Sequence, residues 1–153
     1  MQTRRVLITA GASGIGRSMA QAFAAAGYRV WIADADAGSL ADCPADWNQS
    51  HGDISDESFI RALYSEIDRN WGGLDVLCAN AGIAGPTAKC EDVLLADWKH
   101  CLDINLDGTF LTCRQAIAGM KQQGSGVILL TASTAGIYGF PNRAPYAASK
   151  WAM

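Results

Sequence analysis

Thr9-Ala10-Gly11-Ala12-Ser13-Gly14-Ile15-Gly16 stands between a short apolar run, Arg4–Thr9, and a segment in which Ile15, Met19, Ala22, Phe23 and Ala26 follow helical spacing. Strand, small-residue turn and helix in that order open a βαβ unit. Small side chains at such a turn let the backbone approach a pyrophosphate, whose charge is met by free N–H groups and the dipole of the helix N-terminus. Gly11, Ser13, Gly14, Ile15 and Gly16 are therefore candidate phosphate-binding residues. A glycine-rich turn alone can also simply end a strand; its place after the first strand carries the functional reading.

Outward from the turn, Gly27 ends the helix. Arg29–Asp34, Leu74–Ala79 and Gly126–Ala132 are further continuous apolar runs, as expected of parallel strands covered on both faces. A weaker strand is expected near Asn48–Gly52. Asp56 to about Trp71 reads as a helix with Ser55 as its cap. Leu94 to Met120 reads as one long helix carrying Trp98, Cys101, Leu102, Leu106, Phe110, Cys113 and Ile117 along one face. This alternation implies right-handed crossovers and an α/β fold, a single domain over 1–153 with a doubly wound parallel sheet of about five strands. No repeat, low-complexity tract or long linker interrupts it.

The bulk composition narrows the functions. At 153 residues the chain is one domain by length. Half of it is hydrophobic and 18% charged, which is globular rather than disordered. A net charge of −3 gives no general attraction to nucleic acid or to an anionic membrane, so neither is an expected partner. The five cysteines (43, 78, 90, 101 and 113) lack metal-site spacing and are expected to be buried free thiols in a reducing compartment. Arg4-Arg5 before Val6-Leu7-Ile8 has the outline of a signal peptide. The run is too short and passes straight into the glycine turn, so a first strand is the better reading. Nothing approaches a membrane span, and the expected setting is cytoplasmic. The five tryptophans are expected to pack on or cover the core, Trp98 among them, and His51 and His100 to be structural or surface residues.

Asp34 ends the second strand, 18 residues beyond Gly16. A carboxylate there can accept hydrogen bonds from the adenosine ribose hydroxyls, and it repels a 2′-phosphate. No basic residue at Ser13 or Ala35 offsets it, so NAD is expected over NADP; Arg17 is the one cation nearby, and an ordinary acidic loop residue beside Asp36 is the alternative. Tyr146 and Lys150, four apart, share a helix face. An ammonium beside a phenol favours the phenolate and lowers its pKa from about 10, which makes Tyr146 a candidate proton donor to a carbonyl or acceptor from an alcohol. Taken singly, this pair also reads as a solvated helix pair.

With Tyr146-Ala147-Ala148-Ser149-Lys150 added, the chain resembles the short-chain dehydrogenase/reductase family, in order from Thr9 to Lys150. The turn is similar to that family's TGxxxGxG motif, with Gly14 and Gly16 in place. It departs at Ala10, where the family has its first glycine; a positive φ there would cost an alanine about 1 kcal/mol. Asp53-Ile54 resembles the acidic contact to the adenine ring, and Asn80-Ala81-Gly82 the NAG motif that supports the sheet and lies along the cofactor. Asn105 resembles the helix asparagine, and Ser133, 13 residues before Tyr146, the serine of a catalytic tetrad completed by Tyr146 and Lys150. By the resemblance Ser133 would hydrogen-bond the substrate oxygen. Taken singly, Asn105 also reads as satisfying a kink in a long helix and Ser133 as a strand-end cap.

The resemblance implies a Rossmann-type sheet with strand order 3-2-1-4-5 and an oxidoreductase passing a hydride between NAD(H) and a small secondary alcohol or ketone. Lys150 would also hold the nicotinamide ribose, and Asn105 would position a water that relays protons to it. The family implies a dimer or tetramer. It further implies roughly another hundred residues, with two more strands, the rest of the tyrosine helix and a substrate lid. A C-terminally shortened form is thus expected, with the fifth strand an apolar edge and weak or absent activity. A non-catalytic nucleotide-binding or assembly module is the alternative from another class.

Overall fold

The structure, a computed structural model, describes residues 3–153. Strands β1 (Arg5–Thr9), β2 (Arg29–Asp34), β3 (Asn48–His51), β4 (Val76–Ala79) and β5 (Val127–Leu130) form one parallel sheet in the order β3-β2-β1-β4-β5. The helices are α1 (Gly14–Ala25), α2 (Ala37–Ala41), α3 (Glu57–Trp71), α4 (Leu95–Leu102), α5 (Thr109–Gln123) and α6 (Ala144–Ala152). Register is set in the centre, where Val6, Leu7 and Ile8 pair with Val30, Trp31 and Ile32 on one side and Val76, Leu77 and Cys78 on the other. The strand order reverses between β1 and β4, so the loops leaving their carboxyl ends flank one crevice.

Strand periodicity divides the core. Leu7, Trp31, Leu77 and Ala79 face α3 and α5, burying Ile60, Leu63, Ile67 and Ala116. Val6, Ile8, Val30, Ile32 and Cys78 face the other way, with Ala20 and Leu40. Each fully buried aliphatic side chain of this kind stabilises the fold by about 1.5–3 kcal/mol. Trp31, Trp47 and Trp71 are buried as expected, Trp31 and Trp71 meeting edge to face at 5.1 Å. Trp98 is only half-buried and Trp151 is exposed.

Several local readings are corrected. The cap of α3 is Asp56, whose carboxylate accepts from the Ser58 amide at 2.7 Å; the Ser55 hydroxyl instead donates to Asp53 at 2.8 Å. The long helix is not uniform, because Asp103–Gly108 forms a π-helical segment between α4 and α5. The wider turn shifts the buried face by a residue. Cys101, Asn105, Thr109, Thr112, Ala116 and Met120 point inward, whereas Phe110 and Ile117 from the expected stripe are exposed. Full cover on both faces holds for β1 and β4 but not for β5, whose Val127, Leu129 and Leu130 are exposed on the sheet edge, as expected of an apolar edge strand. Among the thiols, Cys43, Cys78 and Cys101 are buried, Cys113 is half-buried, and Cys90 is exposed. Both histidines are exposed.

At the amino end of the sheet, Arg5 is buried against expectation for a charged residue. Its Nε and Nη2 donate to Asp75 at 2.8 and 2.9 Å, Nη1 to the Trp71 carbonyl at 2.9 Å, and Nη2 to Gln123 at 2.9 Å. This cluster ties β1, α3, α5 and the approach to β4 together. No helix among the described residues is long and apolar enough to cross a membrane.

Candidate functional site

The turn after β1 owes its shape to residues that leave room. A Cβ on Gly16 would lie 2.0 Å from the Ala10 carbonyl oxygen, and one on Gly11 would lie 2.5 Å from the Ile32 side chain. Gly14 has φ +51° with nothing within 4 Å of a Cβ position, an open concavity at the helix start. Ala10 itself has φ +49°, the left-handed conformation, where the family motif has its first glycine. Ser13 caps α1 through its backbone only, and no acidic residue stands in the first turn. The first amides of α1 thus lack a side-chain partner and suit an anion. Ser13, Gly14 and Ile15 are all exposed on this rim. These features fit a dinucleotide pyrophosphate.

Asp34 closes the next strand end. Its Oδ2 accepts from the Ala12 amide and its Oδ1 from the Asp36 amide, both at 3.0 Å, so the carboxylate is braced beside the turn. Arg17 is tied by Nη2 to the Asp42 carbonyl at 2.8 Å. Asp53 is exposed and held by Ser55, while the Ile54 side chain is buried in the core against Gly108, leaving only its backbone to face a nucleotide.

Asn80 ties the turn to the neighbouring strands. Its amide N–H and that of Ala81 donate to Thr9 Oγ1 at 3.0 Å, and its Nδ2 donates to the Thr9 and Ala10 carbonyls at 3.2 and 3.4 Å. Gly82 is exposed beyond it; a Cβ there would meet Asn105 Oδ1 at 3.1 Å and Lys150 Nζ at 3.7 Å. Gly82, Asn105 and Lys150 therefore converge.

Asn105 is fully buried in the π-helical segment. Its Oδ1 accepts from the Ile83 amide at 2.7 Å; its Nδ2 donates to the Ile83 carbonyl and to Ser149 Oγ, both at 3.0 Å. Both amide hydrogens are thus engaged and Oδ1 accepts from Ile83, while the backbone carbonyl accepts from Thr109 and keeps a second lone pair for a water. Ser149 in turn donates to the Tyr146 carbonyl at 2.7 Å, linking Asn105 to α6.

Lys150 is buried and has no carboxylate partner among the described residues. Its Nζ donates to the Thr131 carbonyl at 2.7 Å and lies 5.9 Å from the Tyr146 ring centroid. Burial lowers its pKa from the ordinary lysine value, and nearby Cys101 opposes that weakly. Tyr146 is half-buried, with Phe140 tilted against it at 6.4 Å between centroids. Ser133 is half-buried at the end of β5, its Oγ accepting from Ala135 at 3.1 Å; it makes no hydrogen bond to Tyr146 among the described residues. Asn105, Tyr146 and Lys150 thus stand together, and Ser133 stands on the adjoining turn, which packs against α6. Sequence reasoning assigned no such role to Thr9, Thr131 or Ser149, which join these parts; buried hydroxyls have no spacing signature of their own.

A family model described as short chain dehydrogenase matches residues 4–153. A 3beta-hydroxysteroid dehydrogenase of Mediterraneibacter gnavus is 35% identical over 155 residues, covering 97% of this chain and 56% of its own length. The solved levodione reductase superposes with a TM-score of 0.90 at 34% identity over 99% of this chain and 62% of its own. An NAD+-bound xylitol dehydrogenase gives a TM-score of 0.92 at 29% identity, over 97% of this chain and 60% of its own. The chain thus spans under two thirds of the length of each of these relatives.

Proposed function

The chain belongs to the short-chain dehydrogenase family, and from that premise we propose that it acts in hydride transfer between NAD(H) and a secondary alcohol or ketone. The observation that carries this reading is the buried Lys150 ammonium, without a carboxylate and set beside the Tyr146 ring. Desolvating a lysine without a counter-charge is costly and is retained where the charge has work to do. Bound NAD supplies the site that accepts or gives the hydride.

The chain's own residues do the rest. The amides of Ser13 to Gly16 receive the pyrophosphate, and Gly11 allows close approach. Asp34 receives the ribose hydroxyls and disfavours a 2′-phosphate, which selects NAD; a relative solved with NAD+ bound supports that choice. Asp53 and the Ile54 backbone flank the adenine, and Asn80, Ala81 and Gly82 line the path toward Lys150. Tyr146 Oη gives its proton to a carbonyl oxygen in reduction or takes one from an alcohol in oxidation, and the Lys150 charge stabilises the phenolate that remains. Lys150 also holds the nicotinamide ribose. Ser133 Oγ supports the substrate oxygen, and Asn105 fixes the loop at Ile83 and offers a carbonyl for a relay water. The substrate is a small alcohol or carbonyl compound, and the full-length protein assembles as a dimer or tetramer.

The test is steady-state NADH oxidation by the full-length protein over a panel of ring and open-chain ketones. Tyr146→Phe abolishes turnover and leaves NADH binding intact. Turnover retained in that variant defeats the acid/base role. NADH binding without turnover by any form leaves a nucleotide-binding module instead.

A further inference from the structure

Ala10 occupies a left-handed conformation, φ +49°, that an alanine adopts only under strain. Something must hold it there. Its carbonyl oxygen is pinned on one side by Gly16, where a Cβ would lie 2.0 Å away, and on the other by Asn80 Nδ2 at 3.4 Å. The Asn80 amide can donate to Ala10 only if its oxygen faces the opposite way. There Thr131 Oγ1 donates to Asn80 Oδ1 at 3.0 Å. The Thr9 and Ala10 carbonyls, which can only accept, fix which end of the amide is which at 3.2 and 3.4 Å, and the Thr131 hydroxyl holds the other end in place. The same Thr131 is anchored by its amide to the Ala79 carbonyl at 3.0 Å, and its own carbonyl accepts Lys150 Nζ at 2.7 Å.

We propose that the Thr131 hydroxyl is a positioning group that, through Asn80, holds the strained Ala10 turn in the shape that receives the dinucleotide. The inference rests on the proposed nucleotide binding for its functional consequence, but the coupling between Thr131 and Ala10 is a property of the fold alone. Without the hydroxyl, Asn80 Oδ1 loses its donor, the amide swings about its shorter bond to the Thr9 carbonyl and away from Ala10, and Ala10 relaxes out of the left-handed well. A glycine in place of Ala10 carries no such strain to release. The effect of losing the hydroxyl should therefore depend on which residue follows Thr9.

A double-mutant cycle in the full-length protein tests this with Thr131→Val, Ala10→Gly and the pair, alongside Thr131→Ser, which restores the hydroxyl. Two quantities are read: the NADH dissociation constant by fluorescence titration, and the urea midpoint without nucleotide. Thr131→Val weakens NADH binding about fivefold in the parent background and less than about twofold in the Ala10→Gly background. Thr131→Ser stays within about twofold of the parent. In Thr131→Val the KM for NADH rises by a larger factor than kcat falls. The urea midpoint shows coupling of the same sign. Equal losses in both backgrounds, or none, overturn the proposal. Absence of NADH binding by the parent overturns the proposed function instead, and the urea cycle still decides the Thr131–Ala10 coupling.

Discussion

Replacing Gly16 by alanine is the sharpest perturbation of the turn proposed to bind the nucleotide. The added Cβ would stand 2.0 Å from the Ala10 oxygen, 2.8 Å from the Ala10 carbonyl carbon and 2.8 Å from Asn80 Nδ2. Contacts below 3.0 Å are essentially never tolerated by a Cβ, so the atoms must part by about 1 Å. All three are backbone or are held by hydrogen bonds, and none is the free end of a flexible side chain. Overpacking of this kind costs about 1–3 kcal/mol. At a factor of ten for each ~1.4 kcal/mol, NADH affinity falls by about 5-fold to about 140-fold. Gly14→Ala is the natural comparator, since nothing lies within 4 Å of its Cβ and only the φ of +51° opposes it. That strain is worth about 1 kcal/mol, and its effect on affinity is correspondingly smaller. Fluorescence titration with NADH, with urea unfolding of each variant in parallel, gives the order parent, Gly14→Ala, Gly16→Ala. Binding by Gly16→Ala within about twofold of the parent would refute the close approach of helix and turn on which the site is built.

Asp34→Asn removes the charge opposed to a 2′-phosphate, and the ratio of NADPH to NADH affinity rises by at least about tenfold in paired titrations. At the other end of the sheet, Asp75→Ala leaves the buried Arg5 guanidinium without its counter-charge and lowers the unfolding free energy by about 3 kcal/mol, read from urea curves. Arg5 holds the Asp75 carboxyl below its ordinary value, so this stabilisation is full above the unfolded value near pH 4 and is lost as pH falls through the lower folded one; the slope of urea midpoint against pH flattens in Asp75→Asn. Under native conditions at about pH 8, near the ordinary thiol value, iodoacetamide labels exposed Cys90 first by mass spectrometry. Cys78, whose thiol burial pushes up to about 11, reacts only on unfolding.

Much of the fold was legible because its signals are local. The apolar run before Thr9, the small residues to Gly16 and the helical spacing after them lie within one stretch of chain, and the structure places β1, the turn and α1 there. The weak strand near Asn48 and the end of α3 at Trp71 followed from the same reasoning. Ser55 failed as a cap because the helix starts one residue later than read, at Glu57, so that the Asp56 carboxylate, not the Ser55 hydroxyl, meets the Ser58 amide. The stripe through Phe110 and Ile117 failed because a regular helical period was carried across Asp103–Gly108, where the backbone takes a wider turn.

By itself the sequence determined the order of strands and helices, the small-residue turn, the acidic strand end at Asp34 and the four-residue spacing of Tyr146 and Lys150. All are set by neighbours within a few residues, where periodicity and side-chain size act directly. Only the tertiary structure decided that Ala10 is held left-handed, that Asn105 is consumed by Ile83 and Ser149, that Lys150 is buried against Thr131, and that Arg5 is neutralised by Asp75. Those outcomes depend on hydrogen bonds and charge pairs between segments far apart along the chain, whose partners are chosen by packing and leave no trace in local spacing.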